Sequence, residues 1–76
     1  MNLQEFYSLS ASQRAQLCIA VLIDGQEAQI FVENDAENGE LMGRLAEAFS
    51  EESLEVRTPL LGTLLREAIE QLSAGG

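Results

Sequence analysis

The sequence predicts an α+β domain in which an antiparallel β-hairpin is covered by two amphipathic helices. Two apolar runs are joined through Asp24-Gly25, and two later segments, 39–50 and 59–72, have apolar residues at helical spacing. With 76 residues, the chain has the length of a single small domain, which we assign to residues 1–76.

The hairpin prediction rests on runs 17–23 and 26–32 on either side of Asp24-Gly25. A two-residue type I′ turn needs positive φ at both positions, which Gly adopts freely and Asp tolerates. The turn sets a register in which Ile19 faces Ile30, and the β-branched residues at 19, 21 and 23 favour a strand. One face of the hairpin is then apolar, with Leu17, Ile19, Val21, Ile23, Ala28, Ile30 and Val32.

An alternative is a mostly α fold in which residues 10–24 form one helix. Ser10 with Gln13 three residues later matches a capping box, and Gly25 suits a helix C-terminus. Periodicity cannot choose between strand and helix inside an unbroken apolar run such as 17–23. Both interpretations therefore remain open at the level of sequence, with the hairpin favoured.

The segments before the hairpin predict a short helical lead-in. Residues 2–8 carry apolar side chains at helical spacing after a possible Asn2 cap, and residues 10–16 suit a second short helix that leads into the first strand.

After the hairpin, the helix over 39–50 is amphipathic, and a second helix over 59–72 is expected to begin at Thr58-Pro59, a capping residue followed by a first-turn proline. Residues 53–57 alternate polar and apolar and predict a possible short third strand.

Charge and composition exclude several function classes. Thirteen Asp and Glu residues stand against four Arg, with no Lys or His, for a net charge of −9. Such a surface repels phosphate, so neither nucleic acid nor an anionic membrane is expected as a partner. No apolar run has the ~20 residues of a membrane span, and no basic flank marks a signal peptide, so a cytoplasmic location is predicted.

Neither catalysis nor metal or cofactor binding is predicted. His and Lys are absent, and Cys18 lies in an apolar run that predicts a buried structural thiol. The acids of residues 33–37 alternate as in a calcium loop, but an EF-hand loop beginning at Glu33 would need Gly where Asn38 lies and Glu where Arg44 lies.

These exclusions leave a small acidic protein-interaction or adaptor module, which binds another protein or a second copy of itself as a homodimer. The predicted interaction surface consists of Cys18, Leu22, Phe31, Leu60, Leu61, Leu64 and Leu65. The alternative is an acidic inhibitor that mimics nucleic acid and binds a basic protein. Its acidic cluster would be Glu33, Asp35, Glu37, Glu40, Glu51, Glu52 and Glu55.

Overall fold

The computed structural model describes residues 3–23, 32 and 37–75, and within these residues the chain is mostly helical and has no strand. In chain order the helices are α1 (Leu3–Tyr7), α2 (Ala11–Ile23), α3 (Gly39–Glu51) and α4 (Leu54–Gly75). Helix α2 packs most extensively against α4 and also packs against α3, while α1 lies against α3. Helix α2 is therefore the element around which the others are arranged.

The predicted α+β fold is wrong, and the mostly α alternative agrees with the structure. Residues 17–23, predicted as the first strand, are the C-terminal part of α2. Val32, at the end of the predicted second strand, is helical and fully buried. The Asp24-Gly25 turn and residues 26–31 lie outside the described residues, so the predicted register cannot be compared there.

The start of α2 shows why this segment is a helix. The backbone N–H of Gln13 donates to Ser10 Oγ at 3.1 Å, and the Ser10 N–H donates to Gln13 Oε1 at 3.0 Å. This reciprocal capping box satisfies two amide groups that otherwise lack partners. Residues 10–16, predicted as a separate short helix, are thus the cap and first turns of α2. The β-branched residues did not override this cap, since strand propensity depends strongly on packing context.

The helix predicted over 39–50 is confirmed as α3. Its first backbone bond runs from the Met42 N–H to the Asn38 carbonyl oxygen at 2.8 Å. The Asn38 side chain does not cap this helix; instead its Nδ2 donates to Gln13 Oε1 at 3.1 Å. The buried Gln13 therefore holds the start of α3 against the start of α2.

Helix α4 contains the predicted 59–72 helix but begins at Leu54, so the possible third strand over 53–57 is wrong. The Ser53 carbonyl accepts the N–H groups of Val56 and Arg57 at 3.1 and 2.8 Å, which starts the helix before Pro59. Pro59 lies inside the helix, where it has no N–H to donate to the carbonyl of Glu55. Glu55 is exposed, so water can reach this part of the helix.

Arg57 links the start of α4 to the C-terminal end of α3. Its Nη1 donates to the Ser50 carbonyl oxygen at 2.7 Å, at the C-terminal end of α3. A guanidinium in this position satisfies a terminal carbonyl and opposes the negative end of the helix dipole. The contact fixes the direction in which the chain leaves α3.

The predicted helix over 2–8 corresponds to α1, which has a single buried residue, Phe6. Phe6 packs edge to face against Phe49 of α3, with ring centroids 5.8 Å apart and an interplanar angle of 83°. This geometry is one that aromatic pairs prefer. The largest fully buried side chains around this pair are Leu17, Met42, Leu61, Val32 and Cys18. The core thus draws on every described helix.

Candidate interaction surfaces

Helix α2 has an outer face that is uncharged and, except for the half-buried Gln16, exposed. We define the α2 face as Ser12, Gln16, Ile19 and Ile23, which recur at helical spacing on the side opposite the buried Leu17 and Val21. Ile19 is 43 % exposed and Ile23 is 66 % exposed. Leu22, a helical neighbour of Ile19, is also exposed. These side chains form an apolar surface at the C-terminal end of α2.

The absence of charge on this face follows from the sequence of α2. The helix has one charged residue, Arg14, and that residue is buried. Each of the other described helices has at least one exposed glutamate, for example Glu5, Glu47 and Glu70. The α2 face is therefore a neutral surface on a strongly acidic chain.

Helix α4 has a second apolar surface, which we call the α4 face and define as Leu65, Ile69 and Leu72. Their spacing of i, i+4 and i+7 places them along one side of the helix. Ile69 is 50 % exposed, Leu72 is 45 % exposed, and Leu65 is half-buried. Arg66 and Glu70, both exposed, lie beside them in the sequence. An apolar centre with a polar border is thus present on α4.

The structure distributes the predicted interaction residues between core and surface. Cys18, Leu61 and Leu64 are buried in the core of the single chain, so they are not available for a partner. Leu60 and Leu65 are half-buried, and Leu22 is exposed. Phe31 lies outside the described residues.

Sequence reasoning missed the exposed residues Ile19 and Ile23 as surface candidates. The hairpin interpretation placed Ile19 and Ile23 on a buried face together with Leu17. Treating residues 10–24 as a helix would have separated them, because residues two apart point in different directions on a helix. The mostly α interpretation therefore places Ile19 on a different side of the helix from Leu17.

Cys18 is fully buried and unpaired. Removal of the thiol from water raises its pKa to about 12, an effect that nearby Arg14 partly opposes. A buried thiol is thus kept protonated and is a poor nucleophile. Its environment is that of a core residue.

A polar cluster joins α1, α2 and α4. The Tyr7 hydroxyl donates to Glu67 Oε2 at 3.1 Å, and Arg14 Nη2 donates to Gln71 Oε1. The Arg14 Cζ lies 5.5 Å from the centroid of the Tyr7 ring, within cation–π distance. Burial, followed by the hydrogen bond and negative charge of Glu67, raises the pKa of Tyr7. These contacts hold the C-terminal half of α4 against the N-terminal half of α2.

The predicted acidic cluster is only partly within the described residues. Glu33 and Asp35 lie outside them. The other members are all exposed, and they lie in the turn before α3, in the first and last turns of α3, just after α3 and at the start of α4: Glu37, Glu40, Glu51, Glu52 and Glu55.

The described residues contain no group of His, Cys, Asp or Glu side chains that could hold a metal ion. In the same part of the chain, no helix combines the length and apolar character needed to cross a membrane.

The chain matches no family model, no curated protein sequence and no solved structure.

Proposed function

We propose that this protein is a protein-interaction module that binds a partner protein through the α4 face. The observation that carries the proposal is the exposure of Ile69 and Leu72, about half of each side chain, on the helix that packs most extensively against α2. Exposed apolar side chains that lie together and have a polar border are typical of docking sites. The sequence also has no His, the side chain that most often acts as a general base, and no Lys.

Burial of the α4 face would contribute a modest binding free energy. Full burial of a Leu or Ile side chain contributes about 1.5–3 kcal/mol, so burying the exposed halves of Ile69 and Leu72 contributes about 1.5–3 kcal/mol together. The half-buried Leu65 adds to this. A partner would need further polar contacts with the border to reach micromolar affinity, which corresponds to about −8 kcal/mol.

The net charge of the chain indicates which kind of partner the protein attracts. With a net charge of −9, the protein attracts basic surfaces and repels acidic ones. The border of the α4 face has one residue of each sign, Arg66 and Glu70, so it is the net charge of the whole chain that favours a partner whose apolar patch is bordered by Lys or Arg. We place this binding in the cytoplasm, a reducing compartment that suits a chain with a single unpaired cysteine.

The test is a capture experiment with two matched variants of the tagged chain in a lysate of its native cells. Ile69→Glu places a charge in the centre of the α4 face. Thr63→Glu places the same charge on the same helix at an exposed site of the opposite side. Proteins retained by the wild type and by Thr63→Glu, but lost with Ile69→Glu, support the proposal once direct binding of the purified proteins reproduces the difference.

A partner that binds equally to both variants contradicts a docking role of the α4 face. If such a partner is a nucleic-acid-binding protein that added DNA displaces, the result favours the acidic mimic. The exposed acids Glu51, Glu52 and Glu55, which lie within five residues of each other, are the specific feature that favours this second function. Replacing the three by Gln would then abolish capture, because mimicry depends on their charge.

A further inference from the structure

The C-terminal end of α4 extends beyond the core. Of residues 54–74, Ala68 is the last that is buried, and residues 69–74 are all exposed. The helix nevertheless continues to Gly75. Its last turn has no basic residue to balance the negative end of the helix dipole, and glycine is a poor helix former. Contacts outside the core must therefore help to keep this end of α4 helical.

Two side-chain contacts lie along one side of this end, and we define their four residues, Tyr7, Arg14, Glu67 and Gln71, as the polar clamp. The Tyr7 hydroxyl donates to Glu67, and Arg14 Nη2 donates to Gln71 Oε1. Glu67 and Gln71 are one turn apart, so they lie on the same side of α4. Ile69, which lies between them in the sequence, points to a different side. The clamp thus holds the end of α4 from a side other than the α4 face.

Arg14 is the buried member of the polar clamp. It is 7 % exposed, and its Cζ lies 5.5 Å from the centroid of the Tyr7 ring. A charged group removed from water is costly unless it finds hydrogen-bond partners, so this guanidinium needs acceptors nearby. Gln71 supplies one of them. The contact also brings a positive charge close to the C-terminal end of α4, where the helix dipole is negative.

The polar clamp is incomplete in one respect. Arg14 Nε is buried and has no hydrogen-bond partner within the part of the chain that the structure describes. Nε–H and one Nη2–H point in parallel from one edge of a guanidinium, and a carboxylate can accept both bonds. Gln71 has only one side-chain acceptor oxygen, because its other terminal group is an amide donor. Substitution at position 71 can therefore strengthen the clamp as well as weaken it.

We propose that Arg14 is a positioning residue for the α4 face: by binding Gln71 it keeps residues 69–75 helical and so fixes Ile69 and Leu72 in the orientation that a partner binds. This inference rests on the proposed function, because it concerns the presentation of the same surface. A surface that is ordered in advance loses less conformational entropy on binding than one that the partner must order. Loosening the clamp therefore weakens binding without removing any residue of the α4 face.

The experiment measures amide hydrogen exchange of residues 69–75 in the full chain, relative to the amides of α3. Gln71→Ala should speed this exchange by about tenfold or more, because a hydrogen bond to a charged group is lost. Gln71→Glu should slow it by about three- to tenfold, because the carboxylate accepts bonds from both Nε and Nη2 of Arg14.

Ser73→Ala and Ser73→Glu are the matched controls. They introduce the same side chains two residues away, at an exposed site on another side of the same helix end. Ser73→Glu adds the same negative charge near the C-terminus of the helix without reaching Arg14, so it should not slow exchange. Only an effect of the carboxylate on Arg14 gives opposite signs for Gln71→Glu and Ser73→Glu.

A second background tests the dependence on Arg14. With Arg14→Met, which keeps a long side chain but no hydrogen-bond donor, Gln71→Glu should no longer slow exchange relative to Gln71→Ala. Circular dichroism of each variant establishes that the helices are retained. A protein captured through the α4 face should bind Gln71→Ala several-fold more weakly than it binds Ser73→Ala.

The outcomes separate this inference from the proposed function. Equal exchange in Gln71→Ala and Gln71→Glu, or a difference that persists with Arg14→Met, overturns the role of Arg14. A helix end that loosens in Gln71→Ala while capture stays unchanged overturns the positioning role as well. If the Ile69→Glu comparison identifies no partner, the proposed function fails, while the exchange measurements, which need no partner, still decide whether Arg14 orders the end of α4.

Discussion

Replacing Gly62 by Ala should stabilise the protein, because this glycine lies in the interior of α4 without a structural need for it. A Cβ built at this position meets no atom within 4 Å, so the added methyl group fits without displacing a neighbour. The backbone there is that of a right-handed helix, which alanine adopts more readily than any other residue.

The magnitude follows from helix propensity. Glycine in a helix interior costs about 0.8–1.0 kcal/mol relative to alanine, largely because the unfolded glycine backbone has more conformational freedom. With open space around the new methyl group, we expect no offsetting strain and only a small gain from packing. A stabilisation of about 0.5–1 kcal/mol corresponds to a rise in Tm of about 2–8 °C for a domain of this size.

Thermal and urea unfolding of Gly62→Ala, followed by circular dichroism at a fixed protein concentration, measures this change. Gly62→Ser provides a graded control, since serine lies between glycine and alanine in helix propensity and should give a smaller gain. An unchanged or lowered Tm for Gly62→Ala would refute the reasoning. It would mean that α4 is not a continuous helix at this point or that another molecule fills the space.

Three further predictions concern the contacts that position the helices. Gln13→Ala should lower the free energy of unfolding by about 1–2 kcal/mol in urea titrations, because the Ser10 N–H and Asn38 Nδ2 both lose an acceptor. Arg57→Ala should cost about 0.5–1.5 kcal/mol in the same assay by removing the guanidinium from the end of α3, whereas the exposed Arg66→Ala should cost little. Cys18, whose pKa burial raises to about 12, should react with a thiol reagent at mildly alkaline pH only after unfolding, and rapid labelling of the native chain would contradict its place in the core. Since the unfolded thiol ionises at a lower pH than the folded one, stability should fall as pH rises from the ordinary thiol pKa towards that value.

Helix α3 could be predicted from the sequence because its two sides differ in polarity. Met42, Leu45 and Phe49 are buried, while Arg44 and Glu47 are exposed, so the helical period is visible in the order of residues. A segment with one exposed and one buried side can therefore be recognised as a helix from its sequence.

Helix α2 could not be assigned in the same way, because its apolar residues occur on all sides. The Ser10 and Gln13 cap indicated a helix, while β-branched residues and Asp24-Gly25 indicated a hairpin. Packing against both α3 and α4 resolves the conflict, since a helix that contacts two others can be apolar over most of its circumference. Tertiary contacts thus outweighed a weak local propensity.

The first turn of α4 was not predicted, for a related reason. Thr58-Pro59 is a strong helix-start signal, yet the helix begins at Leu54, where Ser53 accepts the first amide groups and Arg57 bonds to the end of α3. The side chain of Arg57 serves a contact between helices, which local sequence rules do not include. The prediction was therefore right about the helix and wrong about its first turn.

The sequence by itself determined a small acidic chain with a helix over 39–50 and a second helix that includes 59–72. Only the tertiary structure decided which apolar side chains are left for a partner. Leu61 and Leu64 are buried where α4 packs in the core, whereas Ile69 on the same helix and Ile19 on α2 are exposed. The physical reason is that exposure depends on which sides of a helix its neighbours cover, and that arrangement is a property of the whole fold.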